Sequence, residues 1–114
     1  MFYVTVLGSG ATLPTLQRHT TSVAVQREGD IFLFDCGEGT QLQWLKAGLR
    51  RGKLRAICIT HTHGDHVNGL VGFLQTLGLH GRERPLTLVG PPGLGKIIKC
   101  AKETVGLRLS LIHI

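Results

Sequence analysis

No uninterrupted apolar run in these 114 residues approaches the length of a membrane-spanning helix, so no membrane segment is expected. The opening stretch, MFYVTVLGSG, sets no basic residue ahead of its apolar core, which argues against a secretory signal. Cysteine is scarce and odd in number. Cys36, Cys58 and Cys100 are widely spaced within apolar sequence, a pattern that excludes a disulfide framework and a thiolate zinc motif. A reducing, cytoplasmic setting fits, with the three thiols as small core residues. Acidic residues are also few: 7 against 13 Lys and Arg gives a net charge of +6, a balance that favours polyanionic partners such as nucleic acid. No repeat, linker or low-complexity segment divides the chain, so residues 1–114 are read as part of one domain.

What is present is apolar and patterned. At 42% hydrophobic and 18% charged the composition is that of a globular chain with one core. Short runs rich in Val, Ile and Phe predict strands at Phe2–Leu7, Ser22–Gln26, Ile31–Asp35, Ala56–Thr60, Leu86–Val89 and Arg108–Ile112, with Arg27–Asp30 as a hairpin turn. Helical spacing predicts three helices, whose buried faces carry Leu42, Leu45 and Leu49; then Val67, Leu70, Val71, Leu74 and Leu77; then Leu94, Ile97, Ile98, Ala101 and Val105. Strands first and strand–helix alternation afterwards indicate an α/β architecture with a mixed sheet. The final LRLSLIHI reads as a strand without a polar tail, as in a domain cut short.

The segment ITHTHGDH, Ile59 to His66, concentrates chemistry. An extended chain places His61 and His63 on one side, because side chains alternate. Gly64 permits the tight turn that aims Asp65 and His66 at a second position, and Val67 opens a helix. Imidazole and carboxylate donors without a thiolate suit Zn²⁺ and its neighbours. Taken singly, Asp65 is an ordinary helix cap; four such groups between a strand and a helix form a metal motif. Gly69 and Gly72, each costing about 1 kcal/mol against Ala inside a helix, suggest that another backbone comes close.

A rival motif lies at Gly90–Lys96, which follows the phosphate-loop spacing G-x-x-x-x-G-K between a strand and a helix. Position 97 is Ile where a hydroxyl should hold Mg²⁺. A Pro-rich turn feeding an amphipathic helix is the better reading. Lys46, Arg50, Arg51, Lys53 and Arg55 form a basic cluster, either a nucleic-acid contact or a solvated helix end.

THTHGDH resembles the metal motif of the metallo-β-lactamase superfamily. VLGSGATLPTLQRHTTSVAVQ and FLFDCGEGTQLQ narrow the resemblance to the N-terminal part of the ribonuclease Z family, the endonucleases that trim the 3′ end of precursor tRNA. The resemblance implies an incomplete N-terminal portion of a metallo-β-lactamase fold, an αβ/βα layered sandwich. It implies two zinc ions per complete site, with His61 and His63 ligating the first, and Asp65 and His66 the second. It makes Asp65 the catalytic proton acceptor and Asp35 the supporting carboxylate behind the metal loop. A precursor tRNA substrate, a 3′-hydroxyl product and a homodimer are also implied, with Arg18, Arg50 and Arg51 as candidate RNA contacts. The family draws further metal ligands from later sequence that this chain lacks; His19, His80 and His113 read as loop and strand residues. Another hydrolase of the superfamily, a phosphodiesterase or arylsulfatase-like enzyme, and a non-catalytic truncated fragment are the alternatives.

Overall fold

The computed structural model describes residues 1–109 and 112–113. Three strands open the chain as an antiparallel meander: β1 (Phe2–Gly8), β2 (Ser22–Arg27) and β3 (Asp30–Phe34). The β2–β3 turn is Glu28–Gly29, with φ of 52° and 98°. Positive φ at both central residues is the type I′ geometry, whose twist matches that of paired strands. Helices then alternate with strands: α1 (Thr40–Lys46), a 3₁₀ turn at Arg51–Lys53, β4 (Leu54–Cys58), α2 (Gly64–Val67), α3 (Leu70–Leu79), β5 (Leu86–Val89), α4 (Pro92–Thr104) and β6 (Ile112–His113). The sheet order is β1-β2-β3-β4-β5-β6, and the last four strands are parallel. Among the described residues no helix is long and apolar enough to cross a membrane.

Strand register sorts the side chains onto two faces. Ala24, Leu33, Ile57 and Leu88 share one face and are buried beneath Trp44, Phe73, Leu74, Leu94 and Ile98 of the helices. Full burial of such side chains contributes about 1.5–3 kcal/mol each, which makes this face the core of the molecule. The other face is apolar as well. It carries Phe2, Val4 and Val6 of β1, Phe34 of β3 and Val89 of β5, all exposed, with Val23, Val25 and Phe32 half-buried between them. A sheet apolar on both faces is patterned like one covered on both sides.

Several expectations need correction. The buried face of α1 is not Leu42 and Leu45, which are 59% and 51% exposed, but Thr40 and Trp44. The indole is the largest side chain on the helix and turns it inward, meeting Phe73 edge-on with ring centroids 5.3 Å apart. Leu49 packs at the edge of the core. The helix expected from Val67 onward is broken at Asn68–Gly69 into α2 and α3, because the Gly69 N–H donates to the Cys36 carbonyl at 2.9 Å. Val67, Leu70, Leu74 and Leu77 are nevertheless buried, with Phe73 among them. β4 begins and ends two residues before the expected span, which frees Thr60 for the site below. In the expected last strand, Arg108 and Leu109 have no regular structure and the observed strand is Ile112–His113; Ser110 and Leu111 lie outside the described residues. Cys36 is buried, but Cys58 is only half-buried and Cys100 is exposed on α4. Gly90–Lys96 is a Pro-rich turn into α4: Pro92 occupies the first helical turn, where its missing N–H costs nothing, and Leu94, Ile98 and Ala101 face the core.

Candidate metal centre

β3, β4 and β5 are parallel, so their carboxyl ends open on the same edge of the sheet, where α/β folds build their sites. Asp35 follows β3 and Thr60–His61 follows β4. Main-chain bonds align the two: the Asp35 N–H donates to the Cys58 carbonyl at 2.8 Å, and the Cys36 N–H to the His66 carbonyl at 2.8 Å. The metal loop is thereby fastened at both ends to the Asp35–Gly37 segment. The fit leaves no room for side chains, since a Cβ on Gly69 would lie 2.1 Å from the Gly37 carbonyl oxygen. Gly72 faces open space, so the expected close approach exists at Gly69 alone.

One ring nitrogen each from His61 and His63 and one carboxylate oxygen of Asp65 lie within 4.8 Å of one another. His66 borders this group without belonging to it. Its Nε2 is 3.4 Å from Asp65 Oδ2, and its ring is tilted over His61 at a centroid distance of 3.9 Å. Asp65 Oδ2 also accepts the Thr12 N–H at 3.2 Å, from a residue held at φ 66° in the loop after β1.

Asp35 organises the group from behind. It is 5% exposed and sits at φ 62°, a conformation that Asp tolerates better than most residues. Its Oδ1 accepts the Thr60 N–H at 2.8 Å, and both carboxylate oxygens lie within 3.1 Å of the Thr60 hydroxyl. Its Oδ2 faces His66 Nδ1 at 2.9 Å. Because a carboxylate only accepts, His66 Nδ1 carries the proton, leaving the Nε2 lone pair free toward Asp65. The Thr60 hydroxyl spends its hydrogen on Asp35, so its oxygen accepts from His61 Nδ1 at 3.0 Å. His61 Nε2 is then also a free lone pair. One carboxylate thus sets the tautomers of two imidazoles, one directly and one through a hydroxyl. Carboxylate-backed histidines of this kind are the usual support of a protein metal site. The donor set of neutral imidazole and carboxylate fits a zinc-like ion, with His61, His63 and Asp65 as its holders.

The sequence pointed to Asp35 and to all four metal-motif residues, and the fold gathers them at one edge. It did not point to Thr60 or Thr12. The signal for Thr60 was its place as the hydroxyl between an apolar strand and the first histidine; Thr12 acts through its backbone and left no signal. The candidate RNA contacts are divided. Arg18 lies on the loop that also carries Thr12, beside Lys46 in a cavity of about 330 Å³. Arg50 and Arg51 precede β4, at the end of the sheet opposite His61. Cys36 is no ligand: its thiol faces the core, and burial pushes it up to about 12.

A family model described as anti-Pycsar protein Apyc1 matches residues 2–98. Ribonuclease Z of Methanothermobacter thermautotrophicus is 48% identical over 100 residues, covering 88% of this chain and 33% of the relative. The crystal structure of the short form of human tRNase Z superposes with a TM-score of 0.89 at 42% identity, covering 99% of this chain and 42% of that one. The metallo-β-lactamase fold protein YhfI of Bacillus subtilis superposes with a TM-score of 0.73 at 26% identity, covering 87% and 41%. The chain spans about a third of the length of the curated relatives it matches. It belongs to the family that the Apyc1 model describes, has the metallo-β-lactamase fold, and is a partial-length homologue of ribonuclease Z.

Proposed function

We propose that residues 1–114 form the metal-holding portion of a metallo-β-lactamase domain in a zinc-dependent endoribonuclease that removes the 3′ trailer from precursor tRNA, leaving a 3′ hydroxyl. The observation that carries this reading is the Asp35–Thr60 network, which presents the lone pairs of His61 and His66 at one edge of the sheet beside His63 and Asp65. His61, His63 and Asp65 would hold the first ion, and His66 with Asp65 borders a second position. Zinc bound there supplies Lewis acidity, lowering the pKa of water to about 7 and polarising phosphoryl oxygens. Asp65 is the proton acceptor. Its Oδ2 accepts the Thr12 N–H, whereas Oδ1 has no protein donor among the described residues and can take a proton from the attacking water. Arg18, on the loop whose Thr12 N–H reaches Asp65, is taken as a contact for substrate phosphate. The same reading puts the enzyme in the cytoplasm and, at the length of its relatives, in a homodimer.

A second reading is another phosphodiester hydrolase of this fold. It is favoured by the matching family model, whose description is not that of a ribonuclease Z.

Zinc content, trailer removal from a precursor tRNA, and hydrolysis of bis(p-nitrophenyl) phosphate, each compared with His63→Ala, separate the readings. Zinc binding and trailer removal that both depend on His63 support the first. Hydrolysis of the small diester without trailer removal selects the second. Zinc binding without hydrolysis of either makes the chain a non-catalytic fragment, and no zinc binding at all sinks every metal-based reading.

A further inference from the structure

The end of the sheet opposite the metal centre carries its own concentration of charge. Arg50, Arg51 and Lys53 come from the turn before β4 and Arg55 from the start of that strand, and the segment His80–Pro85 brings Arg82 and Arg84 beside them. Six of the chain's 13 Lys and Arg therefore meet at one place, from two stretches that the sequence separates.

Arg82 holds the two stretches together. Its guanidinium donates to the carbonyls of Leu54 at 2.6 Å, Arg84 at 2.8 Å, Pro85 at 3.0 Å and Arg51 at 3.2 Å. Those bonds consume its fork, so Arg82 is a clamp. Arg84 is committed too, to Asp30 at 2.7 Å and the Gly52 carbonyl at 3.2 Å. Asp30 sits 3.7 Å from Arg55, a loose pair with Arg55 more than half exposed.

Three cations are left over: Arg50, Arg51 and Lys53, the last two half-buried. Arg50 is exposed and makes no side-chain hydrogen bond among the described residues. Arg51 makes one, to His80 Nε2 at 3.2 Å, which leaves most of its donors unused. Arg51 lines a cavity of about 210 Å³ together with Gly52, Leu77, His80, Arg82, Glu83 and Arg84. Arg82 and Arg84 are committed to internal partners, so Arg51 is the one guanidinium on its wall with donors to spare, and with Arg50 next to it in sequence it suits a phosphate group despite the Glu83 carboxylate.

We propose that Arg50, Arg51 and Lys53, with the His80–Arg84 segment behind them, form a docking surface for the phosphate backbone of RNA, separate from the metal centre. The inference rests on the RNA-processing reading above and extends it. β4 and the residues leading to His61 separate the two sites by on the order of 20 Å at about 3.3 Å per extended residue. A substrate touching both must extend over several nucleotides, so this surface selects a folded RNA rather than a single phosphodiester.

The test is binding of a fluorescent precursor-tRNA hairpin to the 114-residue chain at several salt concentrations, comparing wild type with Arg50→Gln/Arg51→Gln/Lys53→Gln and with His63→Ala. The clamp residues Arg82 and Arg84 stay intact. Each phosphate contact contributes a slope of roughly 0.7–0.9 in log K against log salt. The triple variant should bind at least 10-fold more weakly at 0.1 M salt and lose about two units of slope, while keeping its zinc. His63→Ala should lose zinc and keep the slope. Equal affinity and slope in wild type and triple variant would overturn the docking surface, as would an absence of RNA binding by wild type. Should the triple variant unfold, wild type alone decides: bound RNA must shield Arg50 and Arg51 from phenylglyoxal, and undiminished labelling refutes the proposal. Zinc content and small-diester hydrolysis are independent of this surface, so failure of the metal reading shows separately.

Discussion

Replacing Asp35 with Asn tests the organisation of the metal centre most directly. The side chain keeps its shape, and Asn, like Asp, tolerates the left-handed backbone at φ 62°. Asp35→Ala would add about 1–2 kcal/mol of backbone strain to any chemical effect, so Asn is the cleaner probe. The carboxylate now accepts from the Thr60 N–H, the Thr60 hydroxyl and His66 Nδ1. An amide has one acceptor oxygen. If that oxygen stays with Thr60, the amide NH₂ faces His66 Nδ1 and forces the ring into its other tautomer, with the proton on Nε2. The lone pair directed at Asp65 is then lost. Removing such a supporting carboxylate typically costs 10–100-fold in metal affinity, or about 1.4–2.7 kcal/mol. Zinc affinity measured by chelator competition should fall within that range. Nitrogen-15 NMR of the imidazoles should show the His66 proton moving from Nδ1 to Nε2. Wild-type zinc affinity within twofold, with His66 still protonated at Nδ1, would refute the account of how Asp35 acts.

Other predictions follow from individual residues. Gly69→Ala forces a Cβ to within 2.1 Å of the Gly37 carbonyl oxygen and should destabilise the chain by roughly 1–3 kcal/mol. Gly72→Ala meets open space and should stabilise it by up to about 1 kcal/mol; opposite shifts in Tm check both. A thiol reagent at neutral pH should label Cys100, which is exposed, and spare Cys36 until the chain unfolds; mass spectrometry of each peptide reads the order. The Arg84 guanidinium, through its hydrogen bond, holds the Asp30 carboxyl below its ordinary 3.8, against a smaller opposing effect of burial. A depressed folded pKa gives stability that is present above the ordinary value and lost as pH falls through the folded one. Asp30→Asn should therefore flatten the fall in Tm below about pH 4, and an unchanged profile would show that the pair contributes nothing.

How much of this was legible in the sequence depends on which force decided each element. β1, β2 and β5 were readable within a residue because short β-branched runs between Gly, Pro and Asp leave little choice. The cluster at His61–His66 was legible because four ligand side chains in six positions have few other uses. The face of α1 was misread because leucine spacing was counted and the single indole was not; one Trp against Phe73 outweighs two leucines at the surface. The break between α2 and α3 could not be seen, since it arises from a main-chain bond between Gly69 and Cys36, 33 positions away. Thr60 and the arginine clamp were hidden for the same reason: their partners are distant in sequence, and carbonyl oxygens carry no signature.

The second apolar face of the sheet bears on fidelity of strand pairing. In a half-buried sheet a slip of one residue exposes the whole apolar set, and that penalty protects the alignment. Here a slip of β3 would replace Ile31 and Leu33 on the core face by Phe32 and Phe34, and the penalty is small. Alignment must come instead from the Glu28–Gly29 turn and from the irregularities at Val6/Gly8 and Ile31/Phe32. A one-residue error would also turn Asp35 to the wrong side of the sheet, away from Thr60 and His66. A two-residue turn at the far end of the hairpin thus decides whether the histidines acquire their supporting carboxylate.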